Sequence, residues 1–253
     1  MSAGEGQQAP PEPNRRARRR RETIEEILDI AEGVIEEDGV NGLTLAEVAR
    51  RLGVQPPSLY KYFDSLMAVY DALFRRAQIA HLAVLRAATE DKEPGLDTVS
   101  AAMEASGRWC MSHKALAQLM FWRPIPSFEP AAESMAPAAE MVDLYRRALA
   151  DAVAAGQLGP GARSDEGHRV LSVFFTGTIG QAIANDPGLP WGEGRFTPLL
   201  PRLVGLLSAL YPIEGEPAGT PKPRAVADPA GPRRVVPRRD SGIMADSGWP
   251  ASD

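Results

Sequence analysis

The chain has 253 residues, 44% of them hydrophobic, with 6% aromatic residues, one cysteine and a net charge of −5. That length and apolar share suffice for one medium or two small cores. The lone Cys110 excludes an internal disulfide and suits a reducing compartment, and no apolar run is long enough to span a membrane. Residues 1–14 are Gly, Gln, Pro and Glu without an apolar pattern. They are expected to be disordered and lack the apolar core of a secretory signal, so a cytoplasmic protein is predicted. Six of the seven residues from 15 to 21 are arginine. They lead into a predicted helix with Ile24, Ile27, Leu28, Ala31, Val34 and Ile35 on one face, ending near Gly39. Charge balances over residues 15–63, and the acids of this helix can turn away from a duplex, so the sum permits DNA binding without arguing for it.

The stretch Thr44–Phe63, TLAEVARRLGVQPPSLYKYF, carries the most information. Thr44 and Glu47 have the spacing of a capping box, in which hydroxyl and carboxylate each satisfy an orphan N–H. Leu45, Val48, Ala49 and Leu52 follow at helical spacing, Gly53 supplies the positive φ that ends the helix, and Val54 is expected to turn inward. A second helix starts at Pro56 or Pro57, where a missing N–H costs nothing. Only Leu59 and Phe63 of it read as buried, leaving Ser58, Tyr60, Lys61 and Tyr62 facing out. These are the parts of a helix-turn-helix, whose second helix enters the major groove by its N-terminal residues. Thr44 serves as a cap, a phosphate ligand or both. Two readings of Tyr60 and Tyr62 stand: packing against a neighbouring helix, or contacts to phosphate and base edge. On the DNA reading, Pro57, Ser58 and Lys61 read bases or thymine methyls, and Gln55 reaches either backbone or base.

From about Arg19 to Arg76 the chain resembles the DNA-binding unit of the TetR family of transcriptional regulators. The resemblance rests on Thr44, Val48, Ala49, Gly53 and Val54 of the turn signature and on Leu59, Tyr60, Tyr62 and Phe63 of the L-Y-x-Y-F ending. It implies a contact set of Pro57, Ser58, Tyr60, Lys61 and Tyr62. One position departs: where the family usually has a phosphate-gripping lysine, this chain has Leu66, so Lys61 or Arg50 must supply the charge. The run Arg15, Arg16, Arg18, Arg19, Arg20 and Arg21 is a candidate arm along the DNA backbone or into the minor groove, or simply a solubilising segment.

A helix capped by Asp64 or Ser65 follows through Leu66, Val69, Tyr70, Leu73, Phe74 and Ala77, past Leu85, until Pro94 stops it. Helical periodicity continues over 96–109, 112–121, 137–155, 164–184 and 197–210, with Ser112, Ser164 and Thr197 as candidate N-caps. Residues 213–253 are Pro- and Gly-rich and are expected to be a disordered tail, with basic pairs at 233–234 and 238–239. The expected fold is all-α: a helix-turn-helix domain over 15–80, joined by a long helix to a helical ligand-binding and dimerisation domain over 81–212.

Trp109, His113, Met120, Phe121, Trp122, Phe174, Phe175 and Thr178 lie on helices expected to face one another. They can line a small-molecule cavity or simply fill a core. The resemblance favours the cavity, as in ligand-released repressors. Cys110 and His113 share a helical face, but three histidines and one cysteine do not complete a zinc set, so no metal or other cofactor is expected. Gly177 and Gly180 permit close helix approach, as at a dimer interface or within the chain. No G-x-S-x-G elbow or P-loop is present, and the glycine pairs at 159–161 and 192–194 are incomplete nucleotide fingerprints, so an enzyme is not expected. The reading is a ligand-responsive homodimeric regulator, a repressor on a palindromic operator of double-stranded DNA. The alternative is a helical protein-interaction module.

Overall fold

A computed structural model describes residues 15–213. The expected disordered segment 1–14 and all of the expected tail over 213–253 except Ile213 lie outside the described residues. Among those described there are eight α-helices and no strand. They are α1 (Arg15–Asp38), α2 (Leu45–Leu52), α3 (Leu66–Thr89), α4 (Leu96–Ser112), α5 (Lys114–Phe121), α6 (Ala132–Ala154), α7 (Asp165–Asn185) and α8 (Leu200–Leu210). Short 3-10 turns at Val40–Gly42, Pro56–Lys61, Pro160–Arg163 and Thr197–Leu199 join them.

The apolar stripe read from the first helix is buried: Ile27, Leu28, Ala31, Val34 and Ile35 pack inward. The arginine run is helical, forming the exposed first turns of α1, and is not an extended arm. The 39–42 turn is pinned by Tyr70 of α3, whose hydroxyl donates to the Val40 carbonyl at 2.7 Å in a buried bond. Arg76 of α3 pairs with Asp29 and Glu32 of α1. Burial raises the Glu32 pKa, and Arg76 opposes that rise.

Ser65 caps α3 as expected, its hydroxyl accepting from Ala68 N–H at 3.1 Å. Ser164 likewise caps α7 through Gly167 N–H. The other two expected caps are not caps. Ser112 is the last residue of α4. Thr197 instead fastens the preceding loop, accepting from Gly192 N–H and donating to the Glu193 carbonyl. α6 starts at Ala132, not Pro137, which sits inside the helix. Its start lacks a cap of its own, and Asp71 of α3 supplies one by accepting from Ala131 N–H and from the Ser134 hydroxyl, both at 2.8 Å. Because α3 touches both groups of helices, the main core runs without a break from Ile27 of α1 to Leu207 of α8.

Candidate nucleic-acid interface and helical cavity

α2 enters from Thr44, whose hydroxyl accepts from Glu47 N–H at 3.1 Å. Only half of the expected capping box forms. The Glu47 carboxylate is engaged by Arg50 and Arg51, and their hydrogen bonds hold its pKa down at about 2. Arg51 also reaches Glu37 at the end of α1, tying the two helices together. Gly53 ends α2 at φ 74, with its N–H on the Arg50 carbonyl and the Val54 N–H on the Ala49 carbonyl. That bond pair is a Schellman ending. Val54 does not turn inward; it is 36% exposed, because the hydrogen bond that fixes the corner uses its backbone rather than its side chain.

The segment expected as a second helix is a 3-10 turn, Pro56–Lys61, carried into α3 by Tyr62 and Phe63 N–H bonds to the Leu59 carbonyl. Leu59 and Phe63 are buried, as expected. Gln55, Pro57, Tyr60 and Lys61 are exposed, with Tyr60 at 57%, and so are Thr44 and Arg50. Ser58 and Tyr62 are only half-buried rather than free. Tyr62 packs against the core, and the Arg20 guanidinium lies 5.7 Å from its ring while also donating to the Lys61 carbonyl. α1 therefore brings one arginine of its basic run onto the turn that carries Tyr60 and Lys61. Leu66, in place of the usual lysine, is half-buried against the core.

The helical half encloses a cavity of about 210 Å³. Its buried floor includes Phe74, Gln78 and His81 of α3, Met103 and Ser106 of α4, and Leu171 and Phe175 of α7. Its rim lies between α6 and α7, where Arg123, Ala138, Val142, His168, Ser172 and Thr176 are half-buried or exposed. Arg123 holds the left-handed φ of 44. Of the residues expected to line such a cavity, Met120, Phe121 and Phe175 do so. Trp109, His113, Trp122, Phe174 and Thr178 do not. Trp109 stacks between His81 and His113 behind the wall, with centroids at 4.9 and 4.7 Å. Trp122 stands against Gly180, whose missing Cβ leaves room for the indole within this chain. The Thr178 hydroxyl is spent on the Phe174 carbonyl.

Sequence reasoning missed the polar end of the cavity. His81 meets the Ser106 hydroxyl at 2.6 Å through Nε2, and burial pushes its pKa down to about 4. Its Nδ1 and the Gln78 Oε1 are buried without a partner. Cys110, on the same helix as Ser106, is inert: burial pushes its thiol up to about 12. No cluster of three or more potential metal ligands occurs among the described residues. No helix of the described residues is long and apolar enough to cross a membrane.

Comparisons with known proteins agree with this geometry. Residues 27–73 match the family described as bacterial regulatory proteins, tetR family. The uncharacterized HTH-type transcriptional regulator YobS of Bacillus subtilis (strain 168) is 40% identical over 43 residues, 17% of this chain. The match spans 22% of that curated relative's length. Among solved structures, a protein of unknown function from Rhodococcus sp. RHA1 is 26% identical with a TM-score of 0.62, covering 74% of this chain and 94% of its own. The transcriptional regulator FadR of Bacillus subtilis, solved with stearoyl-CoA, shares the fold at 16% identity and a TM-score of 0.57, covering 76% and 98% of the two chains.

Proposed function

We propose, from the premise that residues 27–73 are a tetR-family regulatory domain, that this chain is a ligand-responsive, non-enzymatic DNA-binding regulator of the bacterial cytoplasm. The observation that carries the reading is the division of labour in the 3-10 turn: Leu59 and Phe63 anchor it while Gln55, Pro57, Tyr60 and Lys61 stand in solvent. Those exposed side chains make no hydrogen bond or ion pair among the described residues and have the polar and aromatic chemistry that major-groove edges and phosphates accept. Thr44 and Arg50 flank it toward the backbone, while Ser58 and Tyr62 contact DNA by their exposed edges. The protein acts as a homodimer, a repressor that places two such turns roughly 34–36 Å apart on a palindromic operator. The domains run over 15–80 and 81–212, with α3 shared between them.

The cavity supports the effector half of the reading. A solved regulator of like fold holds stearoyl-CoA, and a space of about 210 Å³ with a largely apolar lining and a few polar groups suits a small molecule here. Effector binding between α6 and α7 moves α6, and Asp71 carries that movement to α3. A coupling of about 1–3 kcal/mol is enough to change operator occupancy.

The test is selection of bound fragments from genomic DNA, followed by gel shifts with Tyr60→Ala/Lys61→Ala protein. Both side chains are exposed, so the fold survives. Sequence-specific retention by the parent and its loss in the double variant are expected. Equal retention by both, or none on any fragment, overturns the DNA-binding reading; the second result leaves a protein-interaction module.

A further inference from the structure

The cavity's floor carries two residues with unmet hydrogen-bonding atoms. Gln78 and His81 stand three residues apart on α3, so they share one helical face. They are 4% and 3% exposed, both line the cavity, and Gln78 Oε1 and His81 Nδ1 have no partner. Buried polar atoms are ordinarily paired, and leaving one unpaired costs about 1–3 kcal/mol. Within a cavity, that cost is recovered when a ligand supplies the missing partner.

The chemistry of that partner is narrow. An amide oxygen only accepts, so the ligand must donate to Gln78. The His81 ring is neutral, since burial holds its pKa near 4, and its Nε2 is occupied by Ser106. Its Nδ1 therefore donates or accepts according to which of the two, ring or serine, carries the shared proton. A hydroxyl has one proton: it donates that to Gln78 Oε1 and accepts from Nδ1–H in the tautomer where Ser106 donates to Nε2. A cation is disfavoured because no aspartate or glutamate lines the cavity. An anion is disfavoured at the floor because the one fixed cation of the lining, Arg123, stands at the rim.

The remaining wall is largely apolar and sulfur-rich: Met103, Met120, Met135 and Met141 line it together with Phe74, Phe121, Phe175 and Tyr145. Thioethers and phenyl edges favour an aromatic ring. Cavities of about 150 Å³ take a benzene ring's six carbons, so in proportion this one encloses roughly eight to nine non-hydrogen atoms, and its exposed rim admits a few more. We propose that the cavity between α6 and α7 receives a neutral, hydroxyl-bearing aromatic molecule of about that size, with its hydroxyl against Gln78 and His81 and its ring among the methionines and phenylalanines. The inference rests on reading this cavity as the effector site.

Four probes and one variant test it on the full chain by titration calorimetry: 1-naphthol, naphthalene, 1-naphthoate and decahydro-1-naphthol. 1-Naphthol is expected to bind about tenfold or more tightly than naphthalene, one or two hydrogen bonds' worth. It is expected also to outbind 1-naphthoate and the saturated alcohol. In Gln78→Leu protein the preference for naphthol over naphthalene is expected to collapse while naphthalene binding persists, which also shows the variant folded. Equal binding of naphthol and naphthalene overturns the proposal. So does tighter binding of naphthoate or the saturated alcohol, a preference that survives Gln78→Leu, or no binding of any probe. The same preparations are assayed for retention of DNA. Retention by protein that binds no probe sinks the ligand class alone; Gln78-dependent naphthol binding by protein that retains no DNA upholds it and sinks the regulator.

Discussion

Gly53 stands at φ 74 with no atom within 4 Å of where a Cβ would sit. Only backbone strain opposes a side chain there, and left-handed geometry costs an ordinary residue roughly 1–2 kcal/mol. Gly53→Ala is therefore expected to lower the free energy of unfolding by about that amount in urea titrations, and specific DNA binding survives wherever the chain stays folded. His81 gives a second residue-scale expectation, one of pH. Its folded pKa near 4 lies below the ordinary 6.5, so the unfolded chain binds the extra proton between those values. The stability gained by keeping the ring neutral is thus complete above pH 6.5 and is lost as pH falls toward 4. The loss is about 3 kcal/mol at most. Urea unfolding measured from about pH 7 to pH 4.5 should show His81→Gln protein losing less stability than the parent across this window. Equal slopes would mean that the ring is not shielded.

At the scale of elements, one of the two helices that carry the cavity's rim is fastened by a neighbour. Asp71 of α3 caps α6 through Ala131 N–H and the Ser134 hydroxyl. Asp71→Ala is expected to cost about 1–2 kcal/mol, the usual worth of a cap, and to speed amide exchange in residues 132–137 ahead of the core. Unchanged exchange there would remove α6 from the coupling route. This cap was not legible in the sequence, because it joins residues 60 apart. The stripe of α1, the Gly53 ending and the anchors Leu59 and Phe63 were legible, because periodicity and φ preference are local. Glu47 shows the boundary between the two cases: its spacing from Thr44 spelled a capping box, yet two arginines one turn on compete for the carboxylate and win it. The cavity failed for the same reason in reverse. Trp109 and Trp122 read as lining because their helices were expected to face one another, whereas nothing in the sequence singled out Gln78 or His81 before the fold buried them.

For the molecule as a whole, a net charge of −5 gives no general attraction to a polyanion, so association must come from where the cations sit. Six arginines occupy the first turns of α1, with no acid in its first turn. Positive side chains near a helix N-terminus oppose the macrodipole, so this arrangement is unfavourable in the free protein. On the proposed DNA-binding reading a negative partner offsets that cost, and Arg20, set against Tyr62 and Lys61, places the run beside the proposed reading turn. Replacing Arg15, Arg19 and Arg21 by Gln should then have opposite effects on stability and binding. Thermal unfolding should be unchanged or slightly higher, because three charges leave the wrong end of the dipole. Affinity should fall on every duplex alike, and the slope of log K against log salt should become shallower by about 2–3, since each phosphate no longer neutralised takes roughly 0.9 from it. The ratio of specific to non-specific affinity should hold, since backbone contacts carry no sequence information. A slope that stays put would assign the arginines to solubility; a fallen ratio would place one of them against a base.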